Sequence, residues 1–247
     1  MLLAACGGAP STDEASDFSD QLPAKGLLSA RQTCVPGDET RLGSRSEAYA
    51  AVALGRTRAL HRPEGELLAR FGRLNVNGVT TVFAVLGVVR DERCDAAWYR
   101  VQLPIRPNGA TGYVAADDVE IYRVRTRIEV DLSERRILFL RDGRPVATVT
   151  TGIGATDTPT PTGRFYVNQR LLAGDPAGPY GPGGIGISAF SPVLTDWVQG
   201  GPIAIHGTNH PDSIGQAVSN GCLRISNRDL IRLFDATPEG TPVLIKA

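Results

Sequence analysis

The chain of 247 residues holds only three histidines and four cysteines. Two of the histidines, His206 and His210, stand in the stretch IAIHGTNH, and one cysteine, Cys222, follows in SNGCLRIS. Three readings fit such a set: a cysteine packed as a small hydrophobe, a metal site, or a thiol nucleophile served by an imidazole base. The metal reading is the weakest. On a helix His206 and His210 would share a face, but Gly207, Thr208, Asn209 and Pro211 between and beside them are poor helix residues. The glutamate of a zinc-protease helix is missing, and so is any Cys-x-x-Cys pair.

A nucleophile asks more of its neighbours. A free thiol with pKa about 8.5 is only a few per cent thiolate at neutral pH, so it needs an adjacent base. Histidine titrates in the right range. If IAIH is a strand, His206 at its end can face Cys222 on a neighbouring segment. The Gly207 carbonyl can then fix the imidazole tautomer in place of a triad acid. Gly221 permits a tight backbone and a close substrate approach, and the amides of Gly221 and Cys222 suit a developing oxyanion. Arg224 suits either a substrate carboxylate or an internal ion pair. Ser219 either bonds near the base or closes a turn, and Asn220 either orients substrate or caps that turn. Tyr180, Phe190 and Trp197 either wall a groove or pack in the interior. His210 and His61 are expected at the surface.

The elements that must position these groups are mostly strands. AYAAVAL, VTTVFAVLGVV, WYRVQL and TGYVAADDVEIY are short apolar runs between turns, and Asn77-Gly78 is a hairpin signal. From Arg125 the alternation of Ile128, Val130 and Leu132 opens a meander through RRILFL, the Asp142-Gly143 turn and PVATVTT. Leu171 to Gly186 is rich in glycine and proline and reads as a long loop around Tyr180. PIAIHG is strand-like. Ser226 and Asp229 form a capping box for one short helix with Leu230, Ile231, Leu233 and Phe234 on its apolar side, and TPVLIK closes the chain as a strand.

Lys+Arg and Asp+Glu are both 26, so the net charge is zero. That leaves no electrostatic footprint for nucleic acid and no charge block for a membrane surface. The N-terminal MLLAACGG resembles the end of a bacterial lipoprotein signal, with Leu3-Ala4-Ala5-Cys6 as a lipobox lacking its charged and most of its apolar leader. The resemblance implies lipidation of Cys6, a flexible tether over 1–28, and membrane contact only through that anchor. In such an exported protein Cys34 and Cys94 either close a disulfide or stand as two buried thiols. Cys222 is then the odd cysteine.

WYRVQLP…GATGYVAADDVEI resembles the end of a bacterial SH3-like domain, carried by Trp98, Gly112, Tyr113 and Val114. A mainly β fold follows: an SH3-like barrel over 29–123, serving as a wall binder or a spacer, then a β-sandwich-like catalytic domain over 124–247 with one or two short helices. IAIHGTNHPDSIGQAVSNGCLRIS is similar to the active-site signature of the L,D-transpeptidase (YkuD-type) family, matched at His206, Gly207, Ser219, Gly221, Cys222 and Arg224. Thr160-Pro161-Thr162-Gly163-Arg164-Phe165 resembles a second landmark of that family. Many members carry histidine where this chain has Asn220, which leaves His206 as the only base in the motif. The resemblance implies a cofactor-free enzyme of the cell envelope. Cys222 would attack a peptidoglycan tetrapeptide stem after its third residue, release D-alanine, and pass the acyl group to a neighbouring amine as a 3→3 cross-link. It also implies substrate contacts from Thr162, Gly163, Tyr180, Ser219, Asn220, Gly221 and Arg224, and acylation by carbapenem-type inhibitors. Hydrolysis of the same thioester, an L,D-carboxypeptidase activity, and a non-catalytic wall-binding lipoprotein are the alternatives.

Overall fold

A computed structural model of the chain describes residues 34–247. Cys6 and the expected tether over 1–28 lie outside the described residues. Strands dominate throughout, as the apolar runs require. The first eight are β1 (Glu39–Arg41), β2 (Ala48–Ala53), β3 (Thr57–Leu60), β4 (Leu67–Phe71), β5 (Val82–Arg90), β6 (Ala96–Gln102), β7 (Thr111–Ala115) and β8 (Val119–Val124). They form one sheet in the order β4-β3-β7-β6-β5-β2-β8, with β1 also on β5. Cys34 and Cys94 are joined as a disulfide across its β1–β5–β6 corner, with Cα atoms 6.0 Å apart.

The Asn77-Gly78 signal marks a tight turn, but not a hairpin between its flanking strands. The Leu74 to Thr80 bridge and the backbone bonds from Asn75 N to Val79 O and from Thr81 N to Arg73 O, both at 2.8 Å, close a short antiparallel ladder around it, while β4 pairs with β3 and β5 pairs with β2 and β6. The reason is tertiary: Asn75 and Asn77 bond to side chains of the second half of the chain.

The second half contains β9 (Thr126–Asp131), β10 (Arg136–Arg141), β11 (Arg144–Thr150), β12 (Ile153–Gly154), β13 (Gly163–Leu172), β14 (Gly183–Phe190), β15 (Pro202–His206), β16 (Ala217–Ser219), β17 (Leu223–Arg224), α1 (Asn227–Phe234) and β18 (Pro242–Lys246). A second eight-stranded sheet runs β11-β10-β9-β18-β13-β14-β15-β17, and β12 pairs with β16 beside it. The expected long loop from Leu171 to Gly186 is shorter. β13 continues to Leu172 and β14 begins at Gly183, because glycines there let the two strands close up as a hairpin.

One face of this sheet is the core, where Ile128, Val130, Val167, Ile185, Ile187, Ile205 and Leu223 are all buried. Leu230 and Leu233 of α1 pack onto the same cluster, each burial stabilising by about 1.5–3 kcal/mol. Ser226 caps α1, accepting from the Asp229 amide at 3.0 Å and donating to the Asp229 carboxylate at 2.6 Å. Ile231, expected on the apolar side, is instead 63% exposed. Only one side of an eight-residue helix can reach the sheet, and Leu230, Leu233 and part of Phe234 fill it.

The two halves grip each other through main-chain atoms. The fully buried Tyr166 donates its hydroxyl to the Val82 carbonyl at 3.0 Å, and Gln102 donates to the Arg164 carbonyl at 2.8 Å. Arg106 donates to the carbonyls of Ser191 and Gly200, both at 2.7 Å. Asn108 exchanges two hydrogen bonds with the backbone of Phe190. Both ends of the 191–201 segment are thus held from the first half.

Candidate active site

Strand register decides what this site contains. Side chains alternate along a strand, and partners in register share a face. Ile205 and Leu223 are partners and both point into the core, so Ala204, His206, Cys222 and Arg224 point the other way. Two rows of residues result on the outer face. One runs Leu171, Gly184, His206, Arg224. The other runs Gln169, Gly186, Ala204 and continues to Cys222, which stands one residue before β17 beside Ala204. His206 and Cys222 are therefore diagonal neighbours on adjacent parallel strands. They line one cleft of about 790 Å³, together with Tyr180 and Asn220.

His206 is 4% exposed. Its Nδ1 lies 2.5 Å from the Gly207 carbonyl oxygen. A carbonyl only accepts, so Nδ1 carries the hydrogen and Nε2 keeps its lone pair. Burial is the main influence on its pKa, which falls to about 4; the Arg224 charge adds to the fall and the Gly207 carbonyl opposes it. The Tyr180 ring meets the imidazole edge-on at a centroid distance of 5.0 Å, which keeps the ring from swinging out. Cys222 is half-buried. Burial pushes its thiol up, against smaller opposing effects from the Ala204 backbone and Arg224. Burial thus favours the neutral form of both groups.

The loop that presents Cys222 is bound from two directions. Ser219 donates to the Cys222 carbonyl at 2.6 Å and accepts from the Gly221 amide at 3.1 Å, so it closes a turn rather than touching the base. This commits the Gly221 amide, which was expected to face an oxyanion; the Cys222 amide is the donor that remains for that role. Gly221 has φ of +108°, a conformation that only glycine holds without strain. From the other side, Thr160 donates to the Gly221 carbonyl and accepts from the Gly154 amide, both at 2.9 Å. Thr158 donates to the Ser219 carbonyl at 2.9 Å.

Thr162 and Gly163 do not line the cleft. Gly163 is already strand, paired with Ile245. The Thr-Pro run acts through Thr160, the first residue of the quoted stretch, and through Thr158 two residues before it, neither of which sequence reasoning singles out as a site residue. His210 and His61 are exposed, Trp197 walls the cleft, and Phe190 lies under the Arg106 guanidinium at 5.3 Å. Arg224 has its Nε buried without a hydrogen-bond partner. Of the two roles open to it, the internal ion pair does not form: no acidic residue pairs with it among the described residues.

Residues 125–245 match the family described as "YkuD: L,D-transpeptidase catalytic domain". Over 149 residues the chain is 34% identical to "Putative L,D-transpeptidase YkuD" of Bacillus subtilis (strain 168), covering 58% of this chain and 83% of that protein. It is 33% identical over 126 residues to "Putative L,D-transpeptidase YqjB" of the same organism, covering 47% of this chain and 68% of that one. Among solved structures, an L,D-transpeptidase from Mycobacterium smegmatis is similar over 67% of this chain and 90% of that chain, at 17% identity and a TM-score of 0.42.

Proposed function

Because the chain belongs to the L,D-transpeptidase family, we propose that it is a cysteine acyltransferase that forms 3→3 cross-links in peptidoglycan through a Cys222 thioester. The observation that carries this reading is the diagonal placement of His206 and Cys222 in one cleft, with Nδ1 of the imidazole held by the Gly207 carbonyl. Cys222 Sγ attacks the amide carbon after the third stem residue while its proton passes to His206 Nε2. The tetrahedral oxyanion takes a hydrogen bond from the Cys222 amide. As the carbon–nitrogen bond breaks, the imidazolium returns that proton to the departing D-alanine nitrogen, leaving the thioester. An amine of a neighbouring stem then attacks, gives its proton to His206, and releases the thiol.

Arg224 is not among the residues lining the cleft, but its charge acts on both His206 and Cys222 and it lacks an acidic partner among the described residues, which suits it to hold a substrate carboxylate at the cleft's margin. The Cys34–Cys94 disulfide supports export to an oxidising compartment of the cell envelope. No described helix is long and apolar enough to cross a membrane; the anchor proposed is a lipid on Cys6.

Incubation of purified protein with a carbapenem, followed by intact-mass measurement, tests the nucleophile. The mass of one adduct is expected on the wild type and none on Cys222→Ala; an unmodified wild type with reduced Cys222 rules out the acyl-enzyme. Digestion of labelled wall separates transfer from hydrolysis, with 3→3 dimers expected and trimmed tripeptides alone pointing to a carboxypeptidase.

A further inference from the structure

The far end of the cleft is made by both halves of the chain. Starting from Cys222, the row passes Ala204 and Gly186 and ends at Gln169. Three strand spacings of about 4.8 Å put Gln169 roughly 14 Å from Cys222, the length of about four units of extended peptide. Ala204 and Gly186, two small residues, lie between them. A Cβ at Gly186 would stand 2.6 Å from Gln169 Cγ and 3.1 Å from both Gln169 Nε2 and Asn168 Oδ1, so the Gln169 amide lies over that glycine on the cleft side.

Around Gln169 three other uncharged primary amides gather, those of Asn75, Asn77 and Gln199. Its Oε1 accepts from Asn75 Nδ2 and Asn77 Nδ2, both at 2.9 Å. Asn77 and Gln199 bond reciprocally, with Gln199 Nε2 donating to Asn77 Oδ1 at 2.8 Å and the return bond at 3.4 Å. None of these bonds uses Gln169 Nε2. With both lone pairs of its oxygen taken, Gln169 is held so that its two N–H groups are presented over the floor. Asn77, Gln169 and Gln199 all line the cleft, and Asn77 comes from the first half.

The position of His206 tells which part of a substrate arrives there. The imidazole has to hand its proton to the leaving nitrogen, so the leaving and incoming amines belong on the row of His206, near Tyr180. The acyl chain must depart along the other row, over Ala204 and Gly186. Four units upstream of the scissile bond is the junction between stem peptide and sugar.

We propose that Gln169, oriented by Asn77 and Gln199, binds the carbonyl and hydroxyl oxygens at the peptide–sugar junction of the acyl donor, which makes the N-terminal half part of substrate selection. This rests on the reading of Cys222 as an acyl-accepting nucleophile. Gln169 is the contact; Asn77 and Gln199 are positioning residues.

The test compares two donors from one wall preparation, a disaccharide-tetrapeptide and the same tetrapeptide freed of its sugar, with one amine acceptor. Wild-type protein is expected to favour the sugar-bearing donor in kcat/KM. Asn77→Ala and Gln199→Ala should each cut that preference about tenfold, the loss of one oriented hydrogen bond, with the change in KM rather than kcat. A wild type without preference, or a preference unchanged in both variants, overturns the inference while the proposed function stands. Melting curves guard against a purely structural role: variants that melt earlier yet keep the preference show the amides to be only a strut, which also overturns it. A wild type that accepts neither donor removes the proposed function and this inference together.

Discussion

In the N-terminal sheet the central strand β5 is buried along most of its nine residues and is paired on both sides. The C-terminal sheet ends at β17, which is two residues long. The contrast shows where each half uses its polar side chains. The first sheet directs Gln102, Arg106 and Asn108 at main-chain carbonyls and amides of its neighbour. The second leaves His206, Cys222 and Arg224 on an outer face beside the short edge strand, where a cleft can open. A strand that short has little pairing of its own: β15 on one side and the reciprocal backbone bonds between Gly152 and Arg224, at 2.8 and 2.9 Å, on the other. Side-chain bonds from Ser219, Thr158 and Thr160 within its own half add to these, and the 191–201 wall is held from the other half.

The strongest way to break this division is to remove the sulfur. Cys222→Ala is expected to lower acylation by at least about a thousandfold, read by intact mass, while the melting temperature stays close to wild type. If acylation survived, the chemistry would not reside on the short edge strand.

Next in size is the pH response of His206. With a folded pKa of about 4 against about 6.5 unfolded, the unfolded chain binds the extra proton between those values. Stability is therefore lost as pH falls from about 6.5 to 4, by on the order of 3 kcal/mol, and is flat below that. Denaturant melts of wild type and His206→Gln should diverge in that window, with the variant losing the dependence. The acid limb of carbapenem acylation should likewise fall near pH 4 rather than near 6.5, because the imidazole stays a free base above its folded pKa.

Thr160→Val probes the internal brace. It leaves the Gly154 amide and Gly221 carbonyl buried without that partner, costing about 1–3 kcal/mol, and should slow acylation more than an equally destabilising change in β5. Equal slowing by both would erase the difference between the halves. The smallest effect is expected from Arg106→Ala, about 1 kcal/mol in stability, with faster amide exchange confined to 191–201. Exchange spreading through β14 and β15 would mean that the first sheet supports the whole second sheet and not one wall.

Much of the fold was legible because its signals are local. Alternation in RTRIEVDL and the Asp142-Gly143 turn predict the β9–β11 meander, and Ser226 with Asp229 predicts the helix start. The errors share a cause. Asn77-Gly78 reads as a hairpin, and Leu171 to Gly186 as a loop, because turn chemistry shows where a chain bends and not which strand it bends towards. Ile231 reads as buried because a helical period gives a face but not the area available to cover it.

Residue identity alone settled that this chain carries four cysteines, three histidines and the His-Gly and Ser-x-Gly-Cys spacing of its family. Those are properties of the chain as a string, and they survive any error in topology. Tertiary structure decided which face of β15 and β17 is open, that the Gly221 amide is spent on Ser219, that Thr160 rather than Thr162 braces the loop, and that the cleft ends on Asn77 from the other half. Each depends on register and on contacts between segments far apart in sequence, where burial and pairing, not local preference, set the free energy.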